Sequence, residues 1–139
     1  MTLENFIKLL NDDLRLERKS QLQYERHSSL LTGYYVAFAE ELNSHAEEER
    51  GHAVELCELI TVLGGEPTME GTDLKDAEQD NKAMLSTDRE DETTAITRYT
   101  ERIKQATLLE LFFAVKKLQD IINDESHHFN FVNSILEGI

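Results

Sequence analysis

Two halves of the chain repeat the same polar residues in the same order, and this repeat constrains the fold more than any other feature. Each half contains a Glu, a Tyr seven residues later, and then a Glu-x-x-His whose Glu follows the first Glu by 32 residues in one half and by 33 in the other. The residues are Glu17, Tyr24, Glu49 and His52 in the first half and Glu92, Tyr99, Glu125 and His128 in the second. Side chains three residues apart share one face of a helix. The repeat therefore predicts two similar helical hairpins with these polar groups on inner faces.

The residues around the repeated groups predict an all-α chain. Only six glycines and one proline occur in 139 residues, so the residues that interrupt helices are confined to a few places. The inward positions of the second helix step by three or four without a break, as in the core-facing stripe of a helix bundle. This stripe comprises Tyr35, Phe38, Leu42, His45, Glu49, His52, Leu56, Leu59 and Leu63.

We predict four helices in a single domain of 139 residues. The predicted helices cover residues 2–30, 34–63, from between 76 and 88 to 106, and 107–136. Turns are expected at 31–33 and 104–107. The run Gly64-Gly65-Glu66-Pro67 ends the second helix, since glycine favours the residue after a helix and proline cannot continue one. Residues 68–76 are polar and aperiodic and are predicted to be a connection.

Charge and cysteine content argue against several classes of protein. The formal net charge is −14, and an acidic surface repels phosphates, so we expect no nucleic-acid partner. The one cysteine, Cys57, leaves no partner for an intrachain disulfide and no cysteine cluster for zinc or a rubredoxin-type iron. We find no apolar run of about 18 residues and no N-terminal signal peptide. We therefore expect a cytoplasmic protein without a membrane partner.

The four glutamates and two histidines of the repeat predict a metal centre. They lie on helix faces that are otherwise apolar or aromatic, each near the middle of its helix, so they can meet at one depth. Four carboxylates cannot all stay ionised in an apolar core, because burial and mutual repulsion raise their pKa values. Two divalent cations remove this conflict, and carboxylates with one imidazole per metal suit iron or manganese. The alternative is a metal-free network of protonated carboxyls in a helical interaction module.

The two tyrosines of the repeat and one nearby histidine allow more than one interpretation. Tyr24 and Tyr99 fit either core packing with a bonded hydroxyl or a redox role beside the metals. Tyr24 is our candidate catalytic residue. His45, one turn before Glu49, fits a satisfied core histidine, a partner of a metal ligand, or an extra ligand where metals enter.

Two neighbouring pairs compete for the second histidine position. His128 lies three residues after Glu125, whereas His127 lies three after Asp124. We favour Glu125 with His128, because Glu125 keeps phase with the apolar residues of its helix. In the run Glu47-Glu48-Glu49, only Glu49 is predicted to point inward.

These motifs resemble those of the ferritin-like superfamily, and most closely those of bacterioferritins. The resemblance covers nearly the whole chain and rests on the spacing of the four glutamates and on Tyr24 after Glu17. It implies a ferritin-like four-helix bundle with a long crossover between helices two and three, and two Fe ions per chain, with Mn as the other metal that fits. The implied metal ligands are Glu17, Glu49, His52, Glu92, Glu125 and His128, with Glu49 and Glu125 bridging.

The chain departs from bacterioferritins at two places. Their haem-ligating Met directly follows the Glu of the first Glu-x-x-His, where this chain has Arg50, so we expect no haem there. Their short fifth helix has no counterpart in a chain that ends at Ile139. We therefore expect a homo-oligomer in which a dimer or a smaller shell fits as well as the 24-subunit cage.

The resemblance implies a ferroxidase that oxidises Fe(II) with O2 or H2O2 for iron storage or detoxification. The same ligand pattern is shared by rubrerythrin-like di-iron peroxidases and by demethoxyubiquinone hydroxylases, which act without storing iron. The absence of a cysteine-rich rubredoxin tail disfavours a complete rubrerythrin.

Overall fold

Four long α-helices make up most of the part of the chain that the computed structural model describes, residues 1–71 and 80–138. They are α1 Leu3–Leu30, α2 Ala39–Val62, α3 Asn81–Leu108 and α4 Phe112–Leu136, with a 3-10 helix at Gly33–Phe38 before α2. The prediction of an all-α chain of four long helices is confirmed for the described residues. None of the described helices is long and apolar enough to cross a membrane.

The contacts between helices determine their directions. Asp13 near the start of α1 meets Arg102 near the end of α3, and His27 near the end of α1 meets Asp88 near the start of α3, so these helices are antiparallel. α2 is also antiparallel to α1, because the two form a hairpin closed by a 2.7 Å hydrogen bond from Ser28 Oγ to Asn43 Oδ1. α2 and α3 are therefore parallel, which requires the predicted long crossover between them.

The described part of the crossover runs along α1. Arg18 Nη1 donates hydrogen bonds of 2.6 and 2.8 Å to the carbonyl oxygens of Thr68 and Glu70. At the far end of the bundle, the Thr32 backbone N–H donates a 3.0 Å hydrogen bond to Asn81 Oδ1 in the first turn of α3. The predicted connection at 68–76 lies partly outside the described residues.

The start of the second helix differs from the prediction. Residues 33–38, expected in part to open the α-helix, form the 3-10 helix, and α2 begins at Ala39. The Tyr35 N–H donates to the Thr32 carbonyl oxygen at 3.2 Å, which is the tighter bonding pattern of a 3-10 turn. Tyr34, Tyr35 and Phe38 stack edge to face within this turn, and periodicity alone does not separate the two helix types.

The predicted turn at 104–107 was wrong, because α3 continues to Leu108. The Leu111 N–H donates to the Ala106 carbonyl oxygen and the Glu110 N–H to that of Thr107, which is the Schellman arrangement. The left-handed position belongs to Glu110, with φ of 58°, and not to a glycine. The equivalent end of α2 has Gly64 in this position, with φ of 91°, and there the prediction was confirmed.

Two apolar clusters fill the bundle and leave a polar layer between them. One cluster is centred on Phe6, Leu10, Leu14, Leu56 and Leu118. The other is centred on Tyr24, Leu42, Met84, Leu85 and Val132. On every helix the glutamates and histidines of the repeat fall between the two clusters, so the fold brings them to one depth.

Candidate metal centre

The six predicted ligands converge in the polar layer and are all buried. Their relative exposures are between 1% and 3%. The structure groups Glu17, Glu49, His52 and Glu125 around one point, and Glu49, Glu92, Glu125 and His128 around a second, with the donor atoms of each group within 4.8 Å of one another. Glu49 and Glu125 belong to both groups, so the fold places them where a bridging carboxylate would have to lie.

Both histidines turn Nδ1 towards the shared glutamates. His52 Nδ1 lies 3.4 Å from Glu49 Oε1 and 3.4 Å from Glu125 Oε1. His128 Nδ1 lies 3.2 and 3.5 Å from the same two oxygens. Two ligands that each lie about 2.1 Å from one metal are roughly 3.0–3.4 Å apart, so these spacings match a shared coordination sphere.

Each of the six side chains contributes one buried donor atom that has no hydrogen-bond partner. These atoms are Glu17 Oε2, Glu49 Oε1, His52 Nδ1, Glu92 Oε2, Glu125 Oε1 and His128 Nδ1. Only two other side-chain atoms of the described residues share this property, His27 Nε2 and His45 Nδ1. Buried polar atoms without partners are rare and costly. Six that converge on two points fit two metal ions.

The electrostatics of the cluster also favour cations. Burial raises the pKa of Glu92 and Glu125 to about 8, and repulsion by a neighbouring carboxylate adds to the rise in both. Burial also raises the pKa of Glu17 and Glu49. Without metal the cluster therefore retains protons that two divalent cations would displace.

Burial acts on the pKa of the two histidines in the opposite direction, but the final pKa of each histidine is also raised. Burial lowers the pKa of His52 and His128, but the surrounding carboxylates raise both, and the pKa of His128 reaches about 11. The metal-free cluster thus neutralises its carboxylates with imidazolium protons. Metal binding requires that both rings lose their Nδ1 protons.

Two carboxylates outside the cluster hold the histidines. His52 Nε2 lies 2.7 Å from Asp124 Oδ2, and His128 Nε2 lies 2.8 Å from Glu48 Oε2. Such a carboxylate fixes the ring orientation and leaves Nδ1 free for a metal. Glu48 is exposed, as predicted, but its contact with His128 was not predicted. The rival pairing of Asp124 with His127 is not formed, since His127 is exposed.

The sequence contained a signal for these two carboxylates. Glu48 and Asp124 each directly precede the Glu of a Glu-x-x-His, so the repeat extends by one acidic residue in both halves. Each carboxylate contacts the histidine of the other half. That crossing cannot be read from a single helix, because it depends on how α2 and α4 pack.

Each of the two tyrosines also donates a hydrogen bond to a glutamate of the other half. Tyr24 Oη donates a 2.7 Å hydrogen bond to Glu92 Oε1, and Tyr99 Oη donates a 2.5 Å hydrogen bond to Glu17 Oε1. Each hydroxyl satisfies one carboxylate oxygen and leaves the other oxygen of the same Glu without a partner. The tyrosines therefore orient the two glutamates that do not bridge.

His45 lies beside the second group of donor atoms. Its ring stacks on His128 with centroids 4.1 Å apart and meets Tyr24 edge-on at 5.1 Å. Burial lowers the pKa of His45 to about 3, and the neighbouring His128 adds to this effect. The ring is therefore neutral at physiological pH.

Comparisons with known proteins agree with this geometry. The family model described as a ferritin-like domain matches residues 7–139. The chain is 27% identical over 132 residues to a bacterioferritin of Brucella melitensis, which covers 94% of this chain and 82% of the relative.

Solved structures show the same architecture. Ferritin-like, diiron-carboxylate proteins from Bacillus anthracis superpose with a TM-score of 0.91 at 34% identity, over 98% of this chain and 99% of that one. A Desulfovibrio desulfuricans bacterioferritin, whose structure describes its diiron site in different catalytic states, gives a TM-score of 0.88 at 25% identity, over 97% and 80% of the two chains. The resemblance inferred from the repeat is confirmed, and the chain belongs to the ferritin-like family.

Proposed function

We propose that the protein binds two Fe(II) ions as substrates in the cluster and oxidises them with O2 or H2O2, in iron storage or detoxification. The observation that carries this proposal is the set of six converging, buried donor atoms without hydrogen-bond partners. Four carboxylates carry four negative charges, which two Fe(II) ions neutralise in a site that water cannot screen. Manganese suits the same oxygen and nitrogen ligands and is the alternative metal.

Each ligand has a defined role in this proposal. Glu17 with His52, and Glu92 with His128, each hold one iron, and Glu49 and Glu125 bridge the two. One electron from each Fe(II) reduces O2 and two protons to H2O2, or H2O2 and two protons to two molecules of water. The ligand side chains release protons when the irons bind, because their pKa values are raised in the metal-free cluster.

With O2 as the oxidant, full reduction to two molecules of water takes four electrons and four protons. The two bound irons supply two electrons, a further Fe(II) supplies the third, and Tyr24 is proposed to supply the fourth. Its hydroxyl lies 2.7 Å from Glu92 Oε1, which can accept the proton that a tyrosine loses on oxidation. Tyr99 is a poorer donor, since the guanidinium of Arg98 lies 5.3 Å from the centre of its ring and opposes removal of an electron. Tyr24→Phe should abolish a tyrosyl radical detected by electron paramagnetic resonance after mixing with Fe(II) and oxidant, and Tyr99→Phe should leave it intact.

An aerobic Fe(II) titration of the metal-free protein tests the main proposal. Oxidation is followed by Fe(III) absorbance, and retained iron is counted per chain. We expect fast oxidation up to two irons per chain. Continued uptake far beyond two would support storage, whereas oxidation that stops at two would favour the peroxidase or other di-iron oxidoreductase.

Matched variants make the titration specific to the cluster. Glu49→Ala removes a shared ligand and should abolish the fast phase. Glu47→Ala removes an exposed carboxylate of the same helix and should leave it unchanged. Fast oxidation in Glu49→Ala would contradict the proposed site, and no oxidation in the unaltered protein would favour manganese or a metal-free module.

Storage additionally requires a homo-oligomer with an interior. Large apolar side chains are exposed at both ends of the bundle, including Tyr34 at 78% and Leu108 at 76%, and these supply contact surface between copies. Light scattering after size exclusion distinguishes a dimer from a shell. Arg50 is exposed at the position of the haem-binding Met of bacterioferritins, so we propose that no haem binds there.

A further inference from the structure

A pocket of about 160 Å³ lies between α1 and α3, and its lining reaches Glu17 and Glu125 of the cluster. Lys19 lines this pocket from α1 and Arg98 lines it from α3, so each hairpin contributes a positive charge. Both side chains are partly shielded from water, with exposed fractions of 27% for Lys19 and 19% for Arg98. Two cationic groups therefore flank the way from solvent to this side of the cluster.

The guanidinium of Arg98 has donors that the protein does not use. Its Nε donates a 2.9 Å hydrogen bond to Asp13 Oδ1, and its two Nη atoms make no hydrogen bond to the residues that the structure describes. Asp13 also accepts a 2.8 Å hydrogen bond from Arg102 Nε, so two guanidinium groups share one carboxylate. One positive charge beside the pocket is therefore not balanced by Asp13.

The α1 side of the pocket adds two further donors. Lys19 Nζ lies 3.6 Å from Asp91 Oδ2, beyond hydrogen-bond distance, and that oxygen already accepts a 2.8 Å hydrogen bond from Gln23 Nε2. The hydroxyl of Ser20, which also lines the pocket, has no hydrogen-bond partner among the described residues. A guanidinium, an ammonium and a hydroxyl thus face one small space without an acceptor between them.

We propose that this pocket binds a tetrahedral oxyanion, with inorganic phosphate as the ligand. Phosphate oxygens accept charge-assisted hydrogen bonds from guanidinium and ammonium groups, and the two Nη donors of an arginine match their spacing. The pocket between α2 and α4 on the opposite face is lined instead by Glu41, Glu48 and Asp124, which repel an anion. The two sides of the cluster therefore differ in the sign of the ion that they attract.

The role of this anion rests on the proposed function. Two Fe(II) ions balance the four carboxylates of the cluster, and oxidation adds one positive charge to each iron. A phosphate dianion beside Glu17 and Glu125 offsets these two added charges at short range, where water screens poorly. Phosphate in the pocket therefore favours retention of the oxidised Fe(III) over Fe(II).

Calorimetric titration of the Co(II)-loaded protein with inorganic phosphate tests the site without redox chemistry. We expect one phosphate per chain in the unaltered protein. Lys19→Gln and Arg98→Gln each remove a charged donor and should weaken phosphate binding by at least about tenfold, the effect of one charge-assisted hydrogen bond. Ser20→Leu fills the pocket with an apolar side chain and should abolish phosphate binding.

Arg26→Gln is the matched control, because it removes one positive charge from an exposed position of α1 outside the pocket. It should leave phosphate affinity unchanged, and a loss equal to that of Lys19→Gln would overturn the site as a general charge effect. No phosphate binding by a protein that still binds two Co(II) ions would also overturn the site and leave the proposed function standing. Failure to bind two Co(II) ions would refute the proposed function and, with it, the role of the anion.

Adenosine monophosphate distinguishes a free oxyanion from a phosphate ester. It should bind clearly more weakly than inorganic phosphate, because one of its phosphate oxygens carries a nucleoside that a pocket of about 160 Å³ does not hold. Equal affinity for the two compounds would overturn the assignment of inorganic phosphate as the ligand.

Discussion

The two helical hairpins supply the same ligands to the centre but surround them differently. Asp13 and Asp88 both lie four residues before the first Glu of their half, and both are buried. Asp13 is paired with Arg98 and Arg102, whereas Asp88 is paired with Gln23 and His27. These partners occupy equivalent positions in the repeat. Arg98 and Arg102 lie six and ten residues after Glu92, and Gln23 and His27 lie six and ten residues after Glu17.

This difference separates the parts of the repeat that the proposed metal centre would constrain from the parts that it would not. The six candidate ligands, the two tyrosines and the carboxylates that hold the histidines (Glu48 and Asp124, the outer carboxylates) occur in both halves. Each of the two proposed metals would need the same donors in the same orientation. The side chains that pair with Asp13 and Asp88, one helical turn before the first Glu of each half, differ between the halves. The half with Arg98 and Arg102 places fixed positive charge near Glu17, and the half with Gln23 and His27 does not.

The largest effect is expected from breaking the buried Asp13 network. Arg102→Met leaves Asp13 with one arginine in an apolar environment and should lower the free energy of unfolding by about 3 kcal/mol. The equivalent His27→Leu should cost only about 1 kcal/mol, because Gln23 still donates to Asp88. Urea unfolding of the two variants measures the difference, and equal losses would show that the two halves are electrostatically alike.

The outer carboxylates should have the next largest effect, and here the halves should agree. Asp124→Ala removes the partner of His52, and Glu48→Ala removes the partner of His128. Each should weaken metal binding about 10- to 100-fold, because the ring loses its orientation and basicity. Co(II) affinity measured by competition with a chelator tests this, and a loss in only one variant would indicate that one metal depends less on its outer carboxylate.

The pH dependence of stability should reveal the raised pKa values of the buried cluster. Glu92 and Glu125 have a pKa of about 8 in the folded protein against an ordinary value of 4.5, so the folded state binds more protons than the unfolded state between these values. The stability of the metal-free protein should therefore fall as the pH rises from about 5 to 8. His128, with its pKa raised to about 11, contributes in the same direction.

Thermal unfolding of the metal-free protein between pH 5 and 8 measures this trend. Glu92→Gln should flatten it by on the order of 1–2 kcal/mol, and saturation with Co(II) should reverse it, because metal binding releases the protons. Stability that rises over this range without metal would mean that the carboxyls are already ionised.

The smallest effect is expected from the tyrosine hydroxyls. Tyr24→Phe and Tyr99→Phe each remove one hydrogen bond to a buried carboxylate and should lower the free energy of unfolding by about 1 kcal/mol. The two losses should be similar, although only Tyr24 is proposed to take part in electron transfer. A clearly larger loss for Tyr99→Phe would indicate that Arg98 strengthens its hydrogen bond.

Helix periodicity and turn-forming residues predicted most of the fold. They failed where a turn uses a residue other than glycine and where a 3-10 helix follows the same period as an α-helix. The turn after α2 was recognised from its glycines, whereas the turn after α3 was misplaced because Glu110 takes the left-handed conformation that glycine normally occupies. The 3-10 helix before α2 was missed because its aromatic residues follow a helical period.

The residues that converge on the centre were identifiable from the sequence, because spacing along a helix determines which side chains share a face. The repeat of Glu, Tyr and Glu-x-x-His needed no knowledge of packing. The tertiary structure alone decided the exchanges between halves: Tyr24 to Glu92, Asp124 to His52, and His45 against His128. These contacts join residues on different helices, so their partners depend on how the helices pack and not on the spacing within any one of them.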